Sequence, residues 1–246
     1  AQPPIVEVST ASTSKLAADE PKQPHTKPID RGFKKVESGV LNENERLTHF
    51  LPTHFRDGSL HRAPYMRNAS VVWRPQQAEL RRGQETVMVV GEAAPVLGRV
   101  EKVGALECMV YGSTYPNTDD RLYVREDGGV EHDIILQQPP AGIDDSRGIA
   151  FSGHLQLSSG LTLWDNDLQI TASYATKNGI KIKNNLGNTV FYLRRPYAFD
   201  AVVTAADGSL DKEKQAQPDY NKAVVGCEYH LDFDDVGVKL AVVTPG

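Results

Sequence analysis

Val224-Val225-Gly226-Cys227-Glu228-Tyr229-His230-Leu231-Asp232-Phe233 is followed, after Asp234-Asp235, by Val236-Gly237-Val238-Lys239-Leu240-Ala241-Val242-Val243, and the fold turns on this stretch. Val225, Cys227, Tyr229, Leu231 and Phe233 fall on one face of an extended chain, as do Val236, Val238, Leu240 and Val242 on the next. Successive strand side chains point to opposite faces, so each run offers an apolar side to a core and a polar side to water. That alternation marks antiparallel sheet covered on one face.

Working towards the N-terminus, similar short runs recur roughly every eight to twelve residues, the spacing of a sandwich or barrel. They are Thr86–Val90, Gly98–Val103, Leu106–Tyr111, Arg121–Arg125, Val130–Leu136, Ile149–Leu155 and Leu161–Trp164. Leu168–Tyr174, Ile180–Lys183, Thr189–Leu193 and Phe199–Thr204 complete the series. Asp127-Gly128-Gly129, Asn178-Gly179, Leu186-Gly187-Asn188 and Asp207-Gly208 supply turn chemistry between them, with Asn178-Gly179 the strongest hairpin signal. Helical crossovers are not interleaved, which argues against a parallel α/β sheet. The predicted class is mainly β: an antiparallel, sandwich-like domain over residues 86–246 with an extended N-terminal arm.

Upstream the pattern weakens. Residues 1–35 hold five prolines among many polar residues, a composition that buries too little to offset chain entropy, and read as a flexible arm. Within it Ile5-Val6-Glu7-Val8-Ser9-Thr10 is β-branched and partly alternating, like a lone strand. Residues 36–85 read as mixed: a helical turn at Leu41–Leu47, a hairpin signal at Asp57-Gly58, a strand at Ala69–Trp73, and a helical turn or loop at Gln76–Arg82.

Hydrophobic residues form 39% of the chain, below the usual globular share, in keeping with an unpacked arm. A net charge of −5 argues against nucleic acid as the main partner, and no apolar run is long enough for a membrane-spanning helix. The opening Ala1-Gln2-Pro3-Pro4 resembles a chain from which a signal peptide has been removed, so an extracellular or cell-surface location is expected. In that compartment Cys108 and Cys227 read either as one disulfide or as two buried thiols.

Asp127-Gly128-Gly129-Val130-Glu131-His132-Asp133-Ile134-Ile135-Leu136, then Phe151, Gly160-Leu161 and Gly187-Asn188-Thr189-Val190-Phe191-Tyr192-Leu193-Arg194-Arg195-Pro196-Tyr197-Ala198-Phe199-Asp200-Ala201 carry a resemblance. Residues 100–246 resemble a strand-rich module that large bacterial surface and secreted proteins, including Rhs and other YD-repeat (teneurin-like) proteins, carry ahead of their repeats. The resemblance implies no catalytic residue. In that family a further strand follows the last alternating run, whereas this chain stops at Gly246, so the resemblance implies a sheet short of one strand. Unpaired strand edges must be covered. The arm offers a substitute, with Ile5, Val6 and Val8 as donor residues and Val225, Tyr229, Leu231, Val238, Leu240 and Val242 as the acceptor edge.

Nothing else in the chain carries recognisable chemistry. His49, His54 and His61 match no zinc spacing and read as exposed loop histidines; no metal site or cofactor is expected. Asp165-Asn166-Asp167 and Asp232, Asp234, Asp235 lack the order of a calcium loop. Phosphate-loop, nucleophile-elbow and zinc-protease motifs are missing. Trp73, Trp164, Tyr192, Tyr197 and Phe199 are candidates for a carbohydrate-binding face but read first as packing residues. The expectation is a non-enzymatic extracellular subunit whose partners are copies of itself, joined by strand donation. The alternative is a binding or scaffold module of a larger secreted protein.

Overall fold

Alternating runs become strands almost throughout. In the computed structural model, strands account for 66% of the described residues, and no α-helix forms among them. The structure describes residues 6–9, 30–44, 46–66, 69–103, 106–144, 146–200, 224–235 and 237–245. In chain order the strands are β1 (Val6–Ser9), β2 (Lys34–Val36), β3 (Gly39–Glu43), β4 (Thr48–Pro52), β5 (Ser59–Ala63), β6 (Ala69–Arg82) and β7 (Glu85–Glu92). There follow β8 (Gly98–Val103), β9 (Leu106–Tyr115), β10 (Thr118–Val124), β11 (Val130–Leu136), β12 (Gly148–Leu157), β13 (Thr162–Asp165) and β14 (Leu168–Ile170). The last are β15 (Tyr174–Thr176), β16 (Ile180–Lys183), β17 (Thr189–Leu193), β18 (Tyr197–Asp200), β19 (Val224–Gly226), β20 (Glu228–Asp234) and β21 (Gly237–Val243).

Three antiparallel sheets share one core in a sandwich-like arrangement. The seven-stranded sheet runs β19-β18-β1-β11-β10-β9-β8, and the four-stranded sheet runs β14-β13-β16-β17. The ten-stranded sheet runs β15-β20-β21-β12-β6-β5-β4-β3-β2, with β7 added beside β6. Tyr111 and Ile134 from the first sheet meet Leu80, Phe151 and Leu240 from the ten-stranded sheet, and Ile180 and Ile182 from the smallest. Phe55 and Tyr115 bridge the two large sheets: their centroids are 5.8 Å apart, and Tyr115 lies 5.5 Å from Phe151. Such edge and tilted contacts suit the ring quadrupole and stabilise beyond area alone.

Several expectations are corrected. Residues 36–85 are not a separate mixed region, because β2 to β6 continue the sheet that holds β12, β20 and β21. The boundary expected at residue 86 falls inside the β6–β7 hairpin. Leu41–Leu47 and Gln76–Arg82 are not helical turns: β3 covers the start of the first, and β6 runs on through Arg82. The good helix formers after Gln76 are overridden by pairing with β12 and β7 on both sides. Pro75 is tolerated because the register slips beside it, opposite Ser152 and Gly153, and a bulge needs no N–H there.

Leu168–Tyr174 is not one half-buried strand. β14 belongs to the four-stranded sheet and β15 to the ten-stranded one, leaving Leu168 exposed. Asn178-Gly179 accordingly closes no hairpin but carries the chain from one sheet to another. A Cβ at Gly179 would collide with the Tyr192 ring and lie 2.8 Å from the Leu193 carbonyl oxygen, so close approach requires glycine there.

Candidate strand-insertion site

β1 occupies an interior position. It pairs antiparallel with β11 on one side, Val6 opposite Leu136 and Val8 opposite Ile134. On the other side it pairs with β18, Val8 opposite Ala198 and Ser9 opposite Tyr197. Ile134, Leu136 and Ala198 are buried members of the main core. Ile5 lies outside the described residues.

Without β1, the facing edges of β11 and β18 would present unpaired N–H and C=O groups, and β18-β19 would lose its link to the rest of the seven-stranded sheet. The segment entering β18 is held from the far side instead. The Tyr229 hydroxyl donates to the Arg194 carbonyl at 2.7 Å, and the Cys227 N–H donates to the Pro196 carbonyl at 3.1 Å.

The acceptor edge expected from sequence is corrected. Tyr229 and Leu231 on β20, and Val238, Leu240 and Val242 on β21, are buried as their alternation implies. Their strands are flanked on both sides, however: β20 by β15 and β21, and β21 by β20 and β12. No slot is open beside β21. Val225 sits apart on β19, at the margin of the seven-stranded sheet and two strands from β1. Alternation reveals which face a strand buries; it carries no information on which strands lie beside it.

The disulfide reading is corrected too. Cys108 and Cys227 are both free and buried, Cys108 in a small cluster with Val103 and Tyr123 and Cys227 in the main core. Burial pushes both thiols up to about 12, so neither holds an appreciable thiolate population at neutral pH.

Two of the three clustered histidines are strand residues rather than loop residues. His49 on β4 is 2% exposed and in phase with buried Leu51; His61 lies on neighbouring β5 and is partly buried. His54 is separate and exposed, 3.7 Å from Asp57. The contacts dictate the tautomers. A carbonyl can only accept, so His49 Nε2–H donates to the Gly128 carbonyl at 2.7 Å. His49 Nδ1 must then accept from His61 Nδ1–H at 2.9 Å, and His61 Nε2 accepts from the Ser59 hydroxyl at 3.1 Å. This directional chain of neutral rings ties the β4–β5 hairpin to the turn joining β10 and β11, beside the strand that holds β1. Burial pushes His61 from the ordinary 6.5 down to about 3, with His49 and His132 acting in the same direction. Burial also lowers His49, against the opposing pull of the Gly128 carbonyl and Asp127.

Glu79 and Asp165 are buried carboxylates, the first unnoticed in the sequence and the second read there only as part of an Asp-Asn-Asp run. Glu79, fully buried, accepts from Arg81 Nε, Lys239 Nζ and Ser152 Oγ, each at 2.8 Å, and from Gln77 and Thr86. Burial alone would raise its pKa; the donors, Lys239 foremost, outweigh it and hold the carboxyl well below the usual range. This hub pins β7, β6, β12 and β21 together. Asp165 accepts from Thr176 at 2.6 Å, Asn178 and Asn166 at 3.0 Å and Tyr174 at 3.1 Å, which commits its oxygens to fastening β15 against β13. A glutamate among exposed-looking neighbours gave no signal of its burial.

Among the described residues, no three His, Cys, Asp or Glu side chains are grouped to hold a metal ion, and no helix is long and apolar enough to cross a membrane. No protein-family model, curated protein or solved structure matches the chain.

Proposed function

We propose that this chain is a non-enzymatic structural subunit of an exported, surface-associated protein. It self-assembles by inserting the 6–9 strand of one copy between β11 and β18 of the next. The observation that carries the reading is the interior place of β1, paired along its whole length on both sides. Residues 10–29 separate it from the body of the fold. At roughly 3.5 Å per residue these twenty positions reach up to about 70 Å, enough to enter a neighbouring molecule. Exchange of one identical element between copies conserves every backbone pairing, and a head-to-tail exchange that does not close yields a filament.

Deleting residues 1–12 tests the proposal. Assembly measured by light scattering and negative-stain imaging is expected to disappear, and a peptide of residues 1–12 is expected to bind the truncated chain and raise its melting temperature. Unchanged assembly after the deletion overturns the proposal.

A second reading is favoured by the pairing within one chain: a scaffold module of a longer secreted protein, with β1 closing its own sheet. The resemblance of residues 100–246 to the Rhs-type module supports it. On that reading the chain is monomeric both before and after the deletion, which lowers stability alone.

A further inference from the structure

The four-stranded sheet turns Leu163, Ile170, Ile180 and Ile182 into the core. Strand alternation places Trp164, Gln169, Lys181, Lys183 and Tyr192 on its opposite side. The register aligns four of them in one row across the sheet, in the order Gln169, Trp164, Lys181, Tyr192. Adjacent strands stand about 4.8 Å apart, so Trp164 and Tyr192, two strands apart, are spaced about 10 Å with a lysine between them.

Trp164 lies down on the sheet. Its indole N–H donates to the Thr162 hydroxyl at 2.9 Å, and the Lys183 ammonium sits 4.2 Å from the ring centroid. Tyr192 is 39% exposed. The charge on the four strands themselves is one-sided, with one exposed acid, Asp167, in the turn joining β13 and β14. The one acid on these four strands, Asp165, is 4% exposed and in phase with inward Leu163, whereas both lysines point outward. The chain as a whole carries −5.

We propose that this face binds an anionic polysaccharide built of carboxylate-bearing sugars. The apolar C–H face of a sugar ring packs on a flat aromatic ring, and two rings about 10 Å apart suit alternate sugars of an extended chain. Lys181 and Lys183 pair with the carboxylates, and Gln169 meets hydroxyls. The contact of Lys183 with Trp164 is a weak cation–π pair, which a carboxylate can replace. Single-stranded nucleic acid also uses aromatic stacking and cations, but it stacks successive bases along a groove, and this surface is an open sheet with rings spaced for alternate residues.

The test is affinity electrophoresis and calorimetry of the full chain with polygalacturonate, a neutral β-glucan and oligo-dT. Polygalacturonate is expected to bind at low ionic strength at least tenfold more tightly than either of the others. Tyr192→Ala and the double substitution Lys181→Gln/Lys183→Gln are each expected to weaken binding at least tenfold, the lysine variant with its melting temperature unchanged and the Tyr192 variant still folded in circular dichroism. Three results overturn the proposal: no binding of polygalacturonate, equal binding by the variants, or oligo-dT binding as tightly. None of them bears on strand insertion, which involves a different sheet.

Discussion

Lowering the pH from 6.5 to 4.5 is expected to destabilise the protein chiefly through His61 and His49, with carboxylates contributing mainly below that window. The folded His61 titrates near 3 against 6.5 for an unperturbed histidine. Between those values the unfolded chain binds a proton that the folded chain refuses. A group with a depressed folded pKa contributes stability that is complete above its unfolded value and is lost as pH falls towards the folded one. Each pH unit costs up to about 1.4 kcal/mol, so two units cost at most about 3 kcal/mol from His61, discounted to about 1–3 because the ring is partly solvated. His49 acts in the same direction.

The structural reason is the directional chain of neutral rings. A second proton on His49 goes to Nδ1 and sets two N–H groups against each other, whereas one on His61 goes to Nε2, where it displaces the hydrogen bond accepted from Ser59 and puts charge on a buried ring. The lowered carboxyls of Glu79 and Glu228 contribute with the same sign, mostly below about 4.5, the midpoint of an unfolded glutamate. Urea unfolding at half-unit pH steps is the assay. The slope between pH 6.5 and 4.5 is expected in the native chain and should shrink in His61→Gln. A flat profile over that window, or an equal slope in the variant, would refute the buried neutral pair.

Other perturbations follow from packing. Glu79→Ala leaves Arg81, which is buried, and Lys239 without their shared acceptor and is expected to cost about 3–5 kcal/mol in urea unfolding. Gly179→Ala drives a methyl into the Tyr192 ring and the Leu193 carbonyl, with an expected loss of about 1–3 kcal/mol measured the same way. Cys108 and Cys227 are expected to ignore a thiol reagent in the folded protein and to react, two per chain, after denaturation. Finding no free thiol in the denatured chain would restore the disulfide reading.

Much of the fold was legible because strands announce themselves locally. β8, β11, β16 and β17 occupy the spans read from alternation and turn residues. What failed was lateral. Nothing in the alternation of Tyr229 and Leu231 or of Val238 and Leu240 says that β12 and β15 flank their hairpin. The helix-favouring Gln76-Gln77-Ala78-Glu79-Leu80 run became the middle of a central strand because two neighbours paired with it. The strand character of Val6–Val8 was visible in an otherwise polar arm, whereas its place between β11 and β18 depends on partners more than a hundred residues away. His49 was in phase with Leu51, a signal for burial that its position in a histidine-rich stretch obscured.

Strand exchange is tested most directly by trapping β1 in its slot. With Cys108 and Cys227 replaced by serine, paired cysteines are introduced at Val8 and Ile134, and separately at Glu7 and Ile135, which face each other across β1 and β11. Neighbouring pairs in an antiparallel ladder alternate between wide and narrow spacing, so one of the two pairs is placed to oxidise. After mild oxidation of assembled material, the account predicts a ladder of covalent multimers on a non-reducing gel that collapses to monomer on reduction. Cross-linked monomer alone, with no multimer at any protein concentration, would contradict it.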